Sequence, residues 1–178
     1  MAELVVIPYA KALFDAGLEL DKIDEINKDI HFIEDVFNSE DKLIQILSHP
    51  HINKNEKKTL LQKILGENIS EHALSFLYIL IDKKREKNLF DIIKEFKSLY
   101  DNYIGLLRVV AVTAVEMEEN SKGKLIDVLH NKFKKEIRLT NEVDRSILGG
   151  VLLKLDNKFI DSTILGELKS MESYIKAV

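Results

Sequence analysis

The pattern of apolar and polar positions over the first hundred residues is typical of amphipathic helices, because apolar side chains return every three or four residues. The pattern predicts six helices. Two of them cover residues 7–20 and 21–37, and the sixth begins at Leu89. The other three follow residues that can accept a hydrogen bond at a helix N-terminus, namely Ser39, Asn53 and Ser70.

The pattern changes at Leu106, where branched apolar residues replace the helical spacing of charges. Residues 106–115 predict a strand and residues 121–135 predict a helix. Residues 137–143 alternate apolar and polar side chains, which predicts a half-exposed strand. A second module with mixed secondary structure therefore follows the helices.

An almost purely apolar run at 146–155 predicts a strand buried on both faces. Gly149 and Gly150 lie inside it and predict a bulge, or a point where another backbone comes close. A turn at 156–157 and a short returning strand should follow.

A last helix is expected over residues 162–177, with Asp161 and Ser162 as its capping residues. The sequence therefore predicts a mainly α protein with a small α/β module. Residues 1–104 form a six-helix bundle, and residues 105–178 form a strand–helix–three-strand–helix module.

The first helix has more apolar surface than a single buried face needs. Its charged residues Lys11, Asp15 and Glu19 recur every four positions and form one stripe. The remaining positions form two apolar faces, one made of Ala10, Phe14 and Gly17, and the other of Tyr9, Ala12, Leu13 and Ala16.

The fifth helix is apolar from Ala73 to Ile81 at every position except Ser75. One of its stripes comprises Phe76, Ile79, Leu80 and Lys83. Both helices could simply be central to the bundle, since the core is the usual place for apolar stripes. Alternatively, the two helices form a groove that receives a partner's amphipathic helix.

Composition narrows the classes of function. The 178 residues are 46% hydrophobic and 31% charged, and their net charge of -4 disfavours nucleic acid and anionic lipid as partners. The chain has no cysteine, which excludes disulfides and thiolate zinc sites. No apolar run approaches the ~20 residues of a membrane span, so we expect the protein to reach a membrane only indirectly, through its partners.

No catalytic, metal or cofactor site is predicted. His49 and His51 flank Pro50 without an adjacent acidic residue, which favours a plain interhelical turn over a metal site. Gly149 and Gly150 lack the surrounding residues of a phosphate-binding loop, and Ser146 lacks those of a nucleophile elbow.

Four segments carry a resemblance to a known family, in the order in which that family has them. They are residues 7–14 (IPYAKALF), 47–65 (LSHPHINKNEKKTLLQKIL), 76–89 and 144–168. The last holds the Gly149–Gly150 pair and the apolar residues after it. These segments resemble the delta subunit of bacterial and plastid rotary ATP synthases, whose mitochondrial counterpart is the oligomycin-sensitivity-conferring protein.

The resemblance implies a non-catalytic stator subunit. In that family the bundle holds the catalytic head through the N-terminal helix of an alpha subunit, and the C-terminal module meets the end of the b-type peripheral stalk. The head is thereby kept from turning with the rotor, and proton flow drives ATP synthesis. The implied location is the cytoplasmic face of a bacterial cell membrane, with plastid-encoded origin as the less favoured alternative. By position, the groove residues are Tyr9, Ala12 and Ile79, followed by Leu13, Ala16, Phe76, Leu80 and Lys83.

Two other classes of function stay open on the residues alone. A helical adaptor that captures an amphipathic helix of some other complex would carry the same apolar groove. A small enzyme would need a pocket with convergent titratable groups, and the sequence offers no such set.

Overall fold

The computed structural model describes residues 3–155, 158–166 and 168. Six α-helices occupy the first hundred residues, as predicted. Their bounds are Glu3–Glu19 (α1), Ile23–Ser39 (α2), Asp41–Ser48 (α3), Lys54–Leu65 (α4), Glu71–Asp82 (α5) and Leu89–Tyr103 (α6), and a short 3-10 helix covers Glu86–Asn88.

Two of the three helix caps predicted for the bundle are confirmed. The Asn53 side chain accepts from the Glu56 N–H at 2.9 Å, and the Glu56 carboxylate accepts from the Asn53 N–H at 3.3 Å, which completes a capping box on α4. The Ser70 hydroxyl accepts from the Ala73 N–H at 3.3 Å and caps α5.

The predicted cap at Ser39 is wrong. Ser39 is the last residue of α2, and its hydroxyl donates to the Val36 carbonyl of the same helix at 2.9 Å. The α3 helix begins two residues later without a side-chain cap. The hydroxyl therefore satisfies a carbonyl at the end of one helix instead of an N–H at the start of the next.

The core of the bundle follows the apolar seam of α2. Ile26, Ile30, Ile33 and Phe37 are buried there, together with side chains from all the other helices of the bundle. Each buried isoleucine, leucine or phenylalanine of this core contributes about 1.5–3 kcal/mol to stability by leaving water. At its N-terminal end α2 meets α1 closely, since a Cβ added to Gly17 would lie only 2.8 Å from Ile23 Cδ1.

The ends of α5 are held by polar contacts. At its start, the buried Asp29 carboxylate of α2 accepts from the Ser70 N–H at 3.0 Å. At its end, Lys58 Nζ donates to the Asp82 carboxylate at 2.7 Å, and Lys54 Nζ donates to the Asp82 carbonyl at 2.8 Å. The Lys58 hydrogen bond also holds the pKa of Asp82 below its ordinary value. Both ends of α5 are thus fixed to neighbouring helices.

The segment after α5 is tied to α4 by a buried ion pair. Lys57 Nζ donates to Glu86 Oε1 at 2.9 Å, and the two side chains are only 8% and 11% exposed. Removing one partner of such a pair leaves an uncompensated charge in the interior, which costs about 3–5 kcal/mol. The path of the chain from α5 into α6 is therefore strongly specified.

The chain divides into two compact units between Tyr100 and Asp101. This division falls inside the last turn of α6, a few residues before the boundary at 104 that the sequence predicts. In the second unit, Arg108 of the following strand pairs with the Asp101 carboxylate.

The second unit contains a four-stranded sheet and a helix. Its elements are Leu106–Thr113 (β1), Glu119–Phe133 (α7), Glu136–Val143 (β2), Gly150–Leu155 (β3) and Lys158–Thr163 (β4). The strand order is β2-β1-β3-β4, with β1 and β2 parallel and the other pairs antiparallel. The α7 helix supplies the crossover that a parallel pair requires. Its Leu129 packs against Val109, Ala111, Leu153 and Leu155.

The predicted strand at 146–155 is too long, and its burial on both faces is wrong. The β3 strand begins at Gly150, and a turn precedes it in which the Ser146 N–H donates to the Asp144 carboxylate at 2.9 Å. Only Leu153 and Leu155 are buried in β3, while Leu148 before it is 72% exposed. The apolar run thus covers a turn and a strand with one buried face.

The predicted return of the chain is confirmed, but the predicted cap is displaced. The β4 strand continues to Thr163, whose hydroxyl accepts from the Gly166 N–H at 3.0 Å, and the Asp161 carboxylate accepts from the Thr163 N–H and hydroxyl. Thr163 therefore takes the capping position predicted for Asp161 and Ser162. The predicted turn at 156–157 and most of the last helix lie outside the described residues.

Gly150 lies where the backbone of β4 comes close to β3. Its φ is +84°, and an added Cβ would lie 2.2 Å from the Ser162 carbonyl oxygen. The predicted close approach of another backbone is therefore confirmed at this glycine.

We expect Gly150→Ala to lower the free energy of unfolding of the second unit by about 1–3 kcal/mol from the positive φ alone, with the clash adding to this loss. The matched control is Gly123→Ala in α7, where an added Cβ meets nothing within 4 Å. That change should raise stability by about 1 kcal/mol, because alanine is the better helix former. Urea denaturation of both variants measures the difference, and equal effects would contradict the close approach.

We expect Asp29→Ala to destabilise the first unit by about 1–3 kcal/mol, because the Ser70 N–H loses its acceptor in a partly buried position. Asp35→Ala, at an exposed position of the same helix, serves as the control and should stay within about 0.5 kcal/mol of the unmodified protein. Denaturant titrations report both values. A loss of the same size at both positions would show that Asp29 does not fix α5.

Candidate partner-binding surface

One flank of α1 carries an apolar stripe that the bundle leaves partly or fully exposed. Its residues are spaced by three or four positions and are Val5, Tyr9, Ala12, Ala16 and Leu20. Leu20 follows the last residue of α1, but its N–H donates to the Ala16 carbonyl at 3.1 Å and continues the helical turn. The stripe spans about 23 Å at 1.5 Å per residue.

The stripe lies on the side of α1 away from α6. Phe14 contacts Phe96 of α6 edge-on, with ring centroids 6.3 Å apart. Phe14 and Tyr9 are five residues apart, which separates them by about 140° around a helix with 3.6 residues per turn. The buried face of α1 therefore has the stripe along one of its edges and Phe14 along the other.

A second, shorter stripe lies on α5. Ile79 is 48% exposed there, and His72 and Lys83 are exposed above and below it. The neighbouring Tyr78 turns the other way, because its hydroxyl donates to Gln62 of α4 at 2.8 Å. The Ile79 stripe is therefore on a side of α5 that does not face α4.

The eight residues predicted for partner contact fall into two groups. Tyr9 is half-buried, and Ala12, Ala16, Ile79 and Lys83 are exposed. The other three lie in the core of the bundle, where Leu13 is 5%, Phe76 is 6% and Leu80 is 2% exposed. Those three support the surface from beneath, and contact of any of the eight with a partner stays a prediction.

Three surface residues extend these stripes beyond the predicted set. Val5 and Leu20 lengthen the α1 stripe at its two ends, and His72 lies one further turn back along the α5 stripe. Each is three or four positions from a residue of its stripe or from the buried Phe76, so continuing the helical spacing in both directions would have found it.

The two helices run in opposite directions. A tight turn reverses the chain between α1 and α2, with the Lys22 N–H donating to the Gly17 carbonyl at 2.9 Å. The start of α5 is level with the middle of α2 through the Asp29–Ser70 contact. The last turns of α5 are level with the end of α2, since Leu77, Leu80 and Ile81 surround the same small void as Phe37. Hence α5 runs parallel to α2 and antiparallel to α1.

The histidine pair offers little to a metal ion. The His49 and His51 rings lie 5.4 Å apart, and His49 Nδ1 accepts from the His51 N–H at 3.4 Å. Within the described ranges no three potential ligands from histidine, cysteine, aspartate and glutamate come together. Likewise, none of the helices placed by the structure is long and apolar enough to cross a bilayer.

Comparisons with known proteins agree with the sequence resemblance. A family model described as the ATP synthase delta (OSCP) subunit matches residues 5–175. The chain is similar to the ATP synthase subunit delta of Alkaliphilus metalliredigens, with 35% identity over 175 residues, covering 98% of this chain and 97% of the relative. It is also similar to the subunit of that name from Alkaliphilus oremlandii, with 36% identity over 178 residues, covering 100% and 99%.

A solved structure shares the fold. A chain in the cryo-EM structure of the Toxoplasma gondii mitochondrial ATP synthase hexamer matches with a TM-score of 0.81, covering 96% of this chain and 97% of that one. Its sequence identity is 16%, so the likeness concerns the fold alone. The predicted fold class, a helical bundle followed by a small α/β module, is confirmed.

Proposed function

Because the chain belongs to the ATP synthase delta (OSCP) family, we propose that it is a non-catalytic stator subunit that links the catalytic head of a rotary synthase to its peripheral stalk. The bundle holds the head by binding the N-terminal helix of an alpha subunit. The module of residues 105–178 contacts the C-terminal end of the b-type stalk. The joint keeps the head still, so that proton flow drives ATP synthesis.

The observation that carries the proposal is the exposed apolar stripe of α1, together with the exposed Ile79 of α5, a helix that packs on α2 as α1 does. Amphipathic helices bind proteins by laying their apolar face into such a surface. Ala12 and Ala16 have short side chains and allow a helix backbone to come close. Tyr9 adds a broad contact area with a polar tip. The surface therefore suits a helical partner better than a small molecule.

A mechanical joint benefits from this kind of contact. Exposed ion pairs contribute only about 0–1 kcal/mol each, and salt weakens them. Burial of apolar side chains contributes about 25 cal/mol per Å². Unlike an ion pair, it does not require two flexible charged side chains to hold one geometry. A helix packed over the α1 stripe resists displacement by torque through many such contacts at once.

The second unit also presents apolar side chains to solvent. Leu148 and Phe159 are 72% and 68% exposed there. These exposed side chains are available to a partner, which is compatible with a role in holding the stalk. The resulting location is peripheral, at the cytoplasmic face of a bacterial membrane, where partner subunits hold the protein.

We expect Ala12→Asp to weaken binding of a peptide from the N-terminus of the same organism's alpha subunit at least about tenfold. A buried carboxylate without a partner costs more than the ~1.4 kcal/mol that a tenfold change represents. Isothermal titration calorimetry measures the affinity. Circular dichroism and thermal unfolding check that the bundle stays folded, as expected for an exposed position.

Leu18→Asp provides the matched control. It adds the same charge to an exposed position of α1 that lies outside the stripe, and it should leave the affinity within about twofold. Equal losses for the two variants would point to a general effect of negative charge on α1. An unchanged affinity for Ala12→Asp would show that the alpha-subunit helix does not bind at this surface. The alternative function, a helical adaptor for another complex, would then be favoured.

A further inference from the structure

The proposed binding surface, which combines the stripes of α1 and α5, carries opposite charges at its two ends. Since the helices are antiparallel, the C-terminal end of α1 lies at one end and the C-terminal end of α5 at the other. A helix bound along the surface would therefore meet different charges at its two ends.

The end formed by α1 is acidic. Asp15 and Glu19 are exposed, lie four residues apart, and thus repel each other on one side of the last turns. The last turn of α1 holds no basic residue, although its free carbonyl groups already carry partial negative charge. The exposed Asp21 follows directly, and the nearby Lys22 is paired with Glu25 at 3.5 Å. Within α1 the basic residue is Lys11, one turn before Asp15, so the negative charge is least compensated at Glu19.

The end formed by α5 is basic. Lys83, Lys84 and Arg85 follow one another after the last turn and are all exposed. The one carboxylate in the preceding turn, Asp82, accepts a hydrogen bond from Lys58 of α4 at 2.7 Å and is therefore engaged on the α4 side. The exposed His72 lies at the start of α5, which is at the acidic end of the surface because the two helices are antiparallel.

We propose that this surface aligns the helix it binds by charge, so that the basic end of the bound helix lies at Asp15 and Glu19 and its acidic end lies at Lys83. The inference rests on the proposed function, because it concerns the occupant of the same surface. The occupant is an amphipathic helix with a charge gradient along its axis. Its apolar face supplies the contact area, and the end charges fix which way it lies.

The alignment is tested with a synthetic 18-residue helix that carries leucine and alanine on one face, lysine at one end and glutamate at the other. A nitroxide is attached to either end, and the amide signals of the ¹⁵N-labelled protein are recorded. The chain contains no cysteine, so the nitroxide reagent reacts only with the peptide. With the label at the lysine end, the Ala16 and Leu20 signals should be lost while those of Ile79 and Lys83 remain. The label at the glutamate end should give the opposite loss.

A charge exchange in the protein provides the second arm. Glu19→Lys combined with Lys83→Glu keeps the net charge and should abolish or reverse the alignment. The matched control combines Asp35→Lys with Lys94→Glu, two exposed positions on α2 and α6, and should leave it unchanged. High salt should weaken the alignment in the unmodified protein, because exposed charges are screened.

The outcomes separate this inference from the proposed function. If either label removed the α1 signals and the α5 signals equally, the alignment would be overturned, but binding at the proposed surface would be supported. Losses confined to residues outside α1 and α5 would overturn both, as would the absence of saturable binding. Alignment that survives the charge exchange unaltered would mean that the charges of Glu19 and Lys83 do not set the direction, which also contradicts the inference.

Discussion

A helix can hide only the part of its circumference that faces its neighbours, and α1 has apolar residues over a wider arc than that. Val6, Ala10, Leu13 and Gly17 fill the side that faces the bundle. Tyr9, Ala12 and Ala16 lie just beyond it and reach solvent. Burying them requires a surface that the described part of the chain does not supply. The proposals about a bound helix both follow from this excess of apolar surface.

The walls of the surface are held by polar contacts in the interior of the bundle. Asp29 fixes the start of α5 through the Ser70 N–H, and the Lys57–Glu86 pair fixes the chain just after its end. Such contacts add little net stability when complete, but breaking one is costly. They therefore favour one position of α5 over others. A surface whose walls keep their position loses less entropy when a helix binds, which suits a joint under load.

The sequence predicts the elements well because helical spacing and capping act locally. The Asn53–Glu56 box and the Ser70 cap need only residues within one turn, and both form as expected. The wrong predictions arise where one local sequence pattern is compatible with two structures. The Ser39 hydroxyl can serve either neighbouring helix, and the apolar run at 146–155 fits a buried strand as well as a turn followed by a strand with one buried face. Contacts between residues in the folded chain decide which of the two structures forms, and the local sequence does not show them.

The binding surface shows the same limit at single residues. The apolar pattern does not distinguish the neighbours Ala12 and Leu13. The packing of α1 on the bundle does, because it places Leu13 in the core and leaves Ala12 exposed. This distinction separates two kinds of change. Alterations at Leu13, Phe76 or Leu80 act first on stability, because they leave cavities or strain in a packed core. Alterations at the exposed residues leave the fold in place, so their effects report on what the surface binds.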